Sequence, residues 1–193
     1  MGLADVLFGR KKLKGPAGER LFAISTARVT LETELDLKPA GVAGVCFKAL
    51  SAGEFVRAEN ELQQLLDAVA AESGSKVERR SDDYGYEWLV VRDAQFEDLV
   101  ASVHLVASEL EARGFGPQLL AAVFPFQGHG FDGDKRVFWI YGFKRGAFWP
   151  FVPTGDDKER DNAEELELKA KLEQELPIEQ DLTRWFGVFD APL

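Results

Sequence analysis

The chain has 193 residues, 46% hydrophobic and 29% charged, with a formal net charge of −10 and one cysteine, Cys46. That is enough apolar material for one domain with a real core, and it excludes a disordered chain; no apolar run approaches the ~18–20 residues of a spanning helix. The acidic balance opposes general nucleic-acid binding, which needs clustered cations, and a lone cysteine leaves no internal disulfide framework and suits a reducing cytosol.

The opening MGLADVLFGRKKLKGPAGER sets Leu3, Val6 and Leu7 on one face of a short helix, with Phe8 beside them. Arg10, Lys11, Lys12 and Lys14 follow, and Gly15-Pro16 ends the pattern. No apolar stretch with a small-residue cleavage site is visible, so no secretory signal is expected. Residues 1–20 carry five cations against two acids. Leu3, Val6, Leu7, Phe8, Arg10, Lys11 and Lys12 are therefore candidate contacts for an anionic membrane surface or a partner. Gly2 does not complete a myristoylation motif, because Val6 stands where Ser or Thr is required.

From Ser25 the pattern is helical: Ser25 or Thr26 can cap, and Ala27, Leu31 and Leu35 share a face. Residues 41–50, GVAGVCFKAL, read as a buried strand, and Ser51-Ala52-Gly53-Glu54 reads as a capping box opening a helix through Val69. Residues 76–92 form a hairpin turning at Asp82 to Gly85. Asp93 can cap the next helix, whose stripe is Phe96, Leu99, Val100, Val103, Val106 and Leu110, with Gly114 as its stop. QLLAAVFPF, residues 118–126, is an apolar strand, and Pro125 suggests its end or a sheet edge. RVFWIYGF, residues 136–143, returns beside it. The last helix starts near residues 160–162 and places Leu168, Leu172 and Leu176 four apart, with Glu165–Lys169 and Glu167–Lys171 as supporting pairs. The order α-β-α-ββ-α-ββ-α predicts an α+β fold, an antiparallel sheet with helices mainly on one face. The expected organisation is a segment and linker over residues 1–19, one domain over 20–176, and a tail over 177–193 that docks through Leu182, Trp185, Phe186 and Phe189.

No catalytic set emerges. Gly128 to Gly133 fits G-x-G-x-x-G, but a strand rather than a helix follows it. His129, Asp132 and Asp134 offer at most a thin metal set. Cys46 with His104 or His129 could in principle form a thiol–imidazole pair, yet Cys46 sits in an apolar strand. The expectation is a protein without enzymatic activity, cofactor or resident metal. A small-ligand sensor or hydrolase at loop 127–135 is one alternative.

FKRGAFWPFVPTG, from Phe143, crowds aromatic residues around two cations. Phe143, Phe148 and Phe151 are expected to continue the sheet, with a bend at Gly142 and Gly146, until Pro150 and Pro153 free the chain. Lys144, Arg145, Phe148 and Trp149 make a candidate partner patch, since Trp and Arg are favoured interface anchors.

MGLADVLFGRKK, AGVCFKAL, DDYGYEWLVV followed by FEDLVASVH, GFGPQLLAAVFPF, FKRGAFWPFVPTG and ERDNAEEL together resemble the PspA-associated protein PspAB family of actinobacteria. The resemblance covers most of the chain. It implies an accessory or adaptor role in the phage-shock (envelope-stress) response, with a PspA-type coiled-coil protein as partner. It also implies a cytoplasmic location, peripheral at the inner membrane face, and brings no catalytic residues. The element order is also similar to secretion-chaperone-like domains, so a chaperone-like client-binding domain is a second alternative.

Overall fold

The computed structural model describes residues 17–48, 64, 67–68, 71, 74–130, 133–155 and 158–193. The helix expected after Ser51 falls almost wholly outside them, as does the N-terminal contact segment Leu3, Val6, Leu7, Phe8, Arg10, Lys11 and Lys12. Among the described residues the α-helices are α1 (Ala23–Leu35), α2 (Phe96–Ala112) and α3 (Asn162–Leu172). Seven strands share one sheet: β1 (Leu37–Pro39), β2 (Val42–Lys48), β3 (Lys76–Ser81), β4 (Tyr86–Arg92), β5 (Leu119–Gly130), β6 (Gly133–Gly142) and β7 (Ala147–Phe151). Their order is β3-β4-β2-β5-β6-β7, with β1 also paired to β5, and all pairs are antiparallel. A short ribbon of β8 (Pro153–Thr154) and β9 (Glu159–Arg160) leads into α3. The fold is α+β with an open antiparallel sheet, as the residue pattern predicts.

Side chains alternate across a strand, so register assigns the two faces. Phe96 of α2 packs edge-on against Phe124 and Phe126 of β5, with ring centroids 6.1 and 5.5 Å apart. The whole predicted α2 stripe is buried there. The opposite face carries Gly44 and Cys46 of β2, Trp88 of β4, Gly142 of β6, and Trp149 and Phe151 of β7. The C-terminal segment lies across it like a strap. Trp149 meets Phe186 at 4.8 Å, Phe151 meets Phe189 at 4.8 Å, and a Cβ on Gly44 would come within 2.8 Å of Leu193 and 2.9 Å of Trp88.

Two prolines depart from expectation for one reason: each places its missing N–H where the ladder asks for none. Pro125 lies inside central strand β5, not at its end, and pairs with Phe138. Its carbonyl accepts from Ala40 N–H at 3.0 Å, so its ring faces the break between β1 and β2, where φ of Gly41 is +69°. Pro150 likewise stays in the ladder, opposite Trp139. Its neighbours show which way it points. Phe148 N–H donates outward to Pro177 O at 2.7 Å, and Val152 N–H donates to Glu165 Oε1 at 2.9 Å. Between them, Pro150 has no donor to satisfy. This outer edge of β7 is closed to further strand pairing by residues 177–179 and α3.

The segment after β6 reverses instead of bending onward. Arg145 N–H and Gly146 N–H both donate to Gly142 O, at 3.2 and 2.8 Å, and Gly146 sits at φ +61°. Other local expectations also shift. α1 begins at Ala23 after a 3-10 turn over Glu19–Phe22, with no side-chain cap from Ser25 or Thr26. Asp93 binds Gln95 N–H and the Ser75 hydroxyl, while Gln95 holds the cap position of α2. Glu165 does not pair with Lys169. It turns inward, 2% exposed, and accepts from Arg160 Nε at 3.0 Å. Glu167–Lys171 does form, at 3.2 Å.

Candidate functional site

The strap is short, so it covers the second sheet face incompletely and leaves a hollow on each flank. One, of about 560 Å³, lies between the strap and the β3–β4 turn; Cys46, Trp88 and Leu120 line it together with Phe186, Val188 and Phe189. The other, of about 450 Å³, is bounded by Lys144, Arg145, Trp149, Arg184 and Phe186. Leu120 and Phe186 belong to both. Exposed large apolar side chains gather here: Tyr84 is 56% exposed and Phe186 47%, with Tyr86, Leu182 and Phe189 also open. Large apolar side chains exposed together, unlike single scattered ones, mark an interaction surface.

The β3–β4 turn builds one rim. Asp82 Oδ1 accepts from Tyr84 N–H and Tyr86 N–H, both at 2.9 Å, and its Oδ2 accepts from Trp88 Nε1 at 2.8 Å. Gly85 N–H returns to Asp82 O at 3.3 Å. The carboxylate is thus a structural knot that fixes both tyrosines. The strap builds the other rim. Trp185 Nε1 donates to Glu179 O at 3.0 Å, Arg160 donates to Trp185 O at 2.7 Å, and Trp149 Nε1 donates to Phe186 O at 3.0 Å. Lys158 joins the rims: its ammonium bonds the Tyr84 hydroxyl and lies 3.0 Å from Asp190 Oδ2. The hydrogen bond from Lys158 holds the Asp190 carboxyl below the usual carboxylate range, with help from Tyr84.

The predicted patch divides. Lys144 and Arg145 are exposed, and Arg145 reaches Glu179 at 3.5 Å. Phe148 and Trp149 are interior, the first packed on Tyr141 at 4.6 Å and the second 4% exposed beneath Phe186. The alternation of β7 buries one on each face of the sheet, so neither aromatic presents an open surface. Phe186, Phe189, Tyr84 and Tyr86 present it instead. The residue pattern assigns Phe186 and Phe189 to docking the tail. The signal available for their second role was simply that the tail carries more aromatic residues than one seam needs.

The other candidate chemistry comes apart. Cys46 lies on the strap face, while His104 is on α2 against the opposite face, 4.9 Å from Phe22. His129 pairs with Asp134 in the β5–β6 hairpin, eight residues along β5 from Ala121, the partner of Cys46. At roughly 3.3 Å per residue that is a separation of about 26 Å. Burial, and secondarily the charge of Asp82, pushes the Cys46 thiol up to about 12, so it stays an unreactive small hydrophobe. G-x-G-x-x-G belongs to that hairpin: Gly128 pairs with Lys135 and Gly130 with Gly133, and β6 follows. Asp132 and the Asp134 side chain lie outside the described residues. A polar hollow of about 430 Å³ adjoins the hairpin, lined by Asp36, Lys38, Gln127, His129, Lys135 and Arg136. Lys135 is engaged there with Glu164. Among the described residues no three His, Cys, Asp or Glu side chains gather as a metal set, and no helix is long and apolar enough to cross a membrane.

No curated protein and no solved structure matches the chain at a significant level. A family model does, that of PspA associated protein B, over residues 1–193. The match runs the whole length of the chain, which belongs to the PspA associated protein B family.

Proposed function

We propose that this protein is a non-enzymatic adaptor of a PspA-type membrane-stress response, acting by protein–protein binding near the cytoplasmic membrane face. The observation that carries it is the open aromatic surface around the strap, Tyr84, Tyr86, Phe186 and Phe189, on a chain of a family named for association with PspA. Aromatic side chains with nearby arginines, here Arg145 and Arg184, are the composition of interface anchors. The direct partner in this account is the PspA-type protein. The basic N-terminal segment would add reversible contact with anionic lipid, since one short amphipathic stretch gives only weak attachment.

The test is a pull-down from lysate of the source cell, with and without membrane stress, using the tagged intact chain and a copy lacking residues 1–14. Recovery of a PspA-type protein with the intact chain is the expected outcome. The truncated copy then assigns the contact: equal recovery places it on the domain, and loss places it on the N-terminal segment. Failure to recover any protein of that class under either condition contradicts the adaptor role.

A further inference from the structure

We infer that the groove between the strap and the β3–β4 turn is a receptor for a basic side chain, Lys or Arg, carried on an apolar segment of a protein partner, and that Lys158 occupies its rim when the partner is absent. The inference rests on the adaptor role above and names the chemistry of the contact.

The floor of the groove is apolar and its rim is oxygen-rich. Trp88 and Leu120 line the floor, Phe186, Val188 and Phe189 line the strap side, and Asp190 and the Tyr84 hydroxyl stand at the edge. That division suits a long basic side chain, which lays its aliphatic stem on apolar surface and keeps its charged head at the wet margin. Lys158 shows how the head is held. Its ammonium bonds Asp190 at 3.0 Å and the Tyr84 hydroxyl, and stands 4.9 Å from the centre of the Tyr84 ring. At that distance, while bonded to the hydroxyl, it lies beyond the oxygen and not over the ring face. Two oxygens hold it, not a π cloud.

Lys158 comes from the loop between β8 and β9, which is no part of the groove wall, and its backbone φ is +53°, a region that residues with a Cβ seldom adopt. It is also more than half exposed, so solvent and a competing cation both reach it. Charge selects the occupant. Asp82 and Asp190 are the charged groups lining the groove, and the chain as a whole carries −10. An acidic segment is repelled. A purely apolar one that displaced Lys158 would leave Asp190 without its cation.

The experiment uses the intact chain and a short labelled peptide of Leu and Lys, with a Leu and Glu peptide of equal length as control, read by fluorescence anisotropy. The Leu–Lys peptide binds and the control does not. Lys158→Met removes the internal competitor and tightens binding about 5-fold or more. Asp190→Asn and Tyr84→Phe keep the size and shape of exposed side chains, and each weakens binding roughly 10-fold. Equal binding of both peptides, or a Lys158→Met variant that binds no better than the intact chain, overturns the inference. The two levels separate cleanly. A PspA-type protein that binds while the Leu–Lys peptide does not leaves the adaptor role standing and removes the groove. Peptide binding with the expected variant pattern, but no PspA-type protein recovered, does the reverse.

Discussion

Glu165 shows how one side chain can serve three elements. Its carboxylate takes the Val152 N–H at the β7 edge, the Arg160 guanidinium at 2.9 Å, and through Arg160 the Trp185 carbonyl of the strap. Glu165→Leu leaves Val152 N–H without a partner and a mostly buried arginine without its carboxylate, and is expected to cost about 2–3 kcal/mol in urea unfolding. Cys46 and Tyr141 make a pH prediction. Burial first, then Asp82, raises the Cys46 thiol to about 12, and burial raises Tyr141 to about 12 against the opposing pull of Arg20. The folded chain keeps protons that the unfolded chain releases. Stability is therefore full below the ordinary thiol range and falls as pH rises toward about 12, so the urea midpoint should be lower at about pH 10.5 than at about pH 8. Asp190 runs the other way. Its depressed carboxyl gives the Lys158–Asp190 contact a contribution that is present above the ordinary carboxylate range and lost as pH falls through the lowered value. In Lys158→Met, carboxyl NMR should show Asp190 titrating higher.

The elements were legible where one period dominates. The α2 stripe and the turn at Asp82 to Gly85 are local patterns and stand where spacing places them, while the apolar strand expected over 118–126 runs on to Gly130, through residues expected to be loop. What the sequence hid was register. Pro125 reads as a strand end or sheet edge, and Pro150 as the point where the chain leaves the ladder, because a single strand does not show where its neighbour breaks. Only the β1–β2 gap and the 177–179 segment reveal that their missing N–H groups are harmless. Glu165 looked like a surface acid for the same reason: Arg160 and the β7 edge are brought to it by the fold. The candidate site was half legible, with Arg145 and Lys144 open, Phe148 and Trp149 buried, and the open aromatics on the strap. At this scale the strap itself is testable. Ending the chain at Asp181 removes Trp185, which is 7% exposed, and uncovers Trp149 and Phe151. A loss of about 3 kcal/mol or more is expected, with increased binding of a hydrophobic dye. Unchanged stability would mean that the second sheet face does not need its cover.

For the whole molecule, the sheet divides labour between its faces. Helix α2 packs on one face, where Phe96 meets Phe124 and Phe126, and the core draws on both faces, with Val45 and Leu89 on that side and Trp88, Ile140 and Phe151 on the other. The other face is finished by a strap that uses some aromatic residues to dock and leaves others open. A surface so built offers exposed aromatic residues to a partner, while the one thiol is buried and the two histidines stand far from it, along the sheet or across it. The role proposed for this surface is binding. The most direct measurement is isothermal titration of the intact chain into a purified PspA-type protein from the same cell, repeated with a Tyr84→Ala, Phe186→Ala variant. Saturable binding to the intact chain that weakens about 10-fold or more in the variant is the predicted result. No heat of binding with the intact chain, confirmed by the absence of a shared peak in gel filtration, would contradict it.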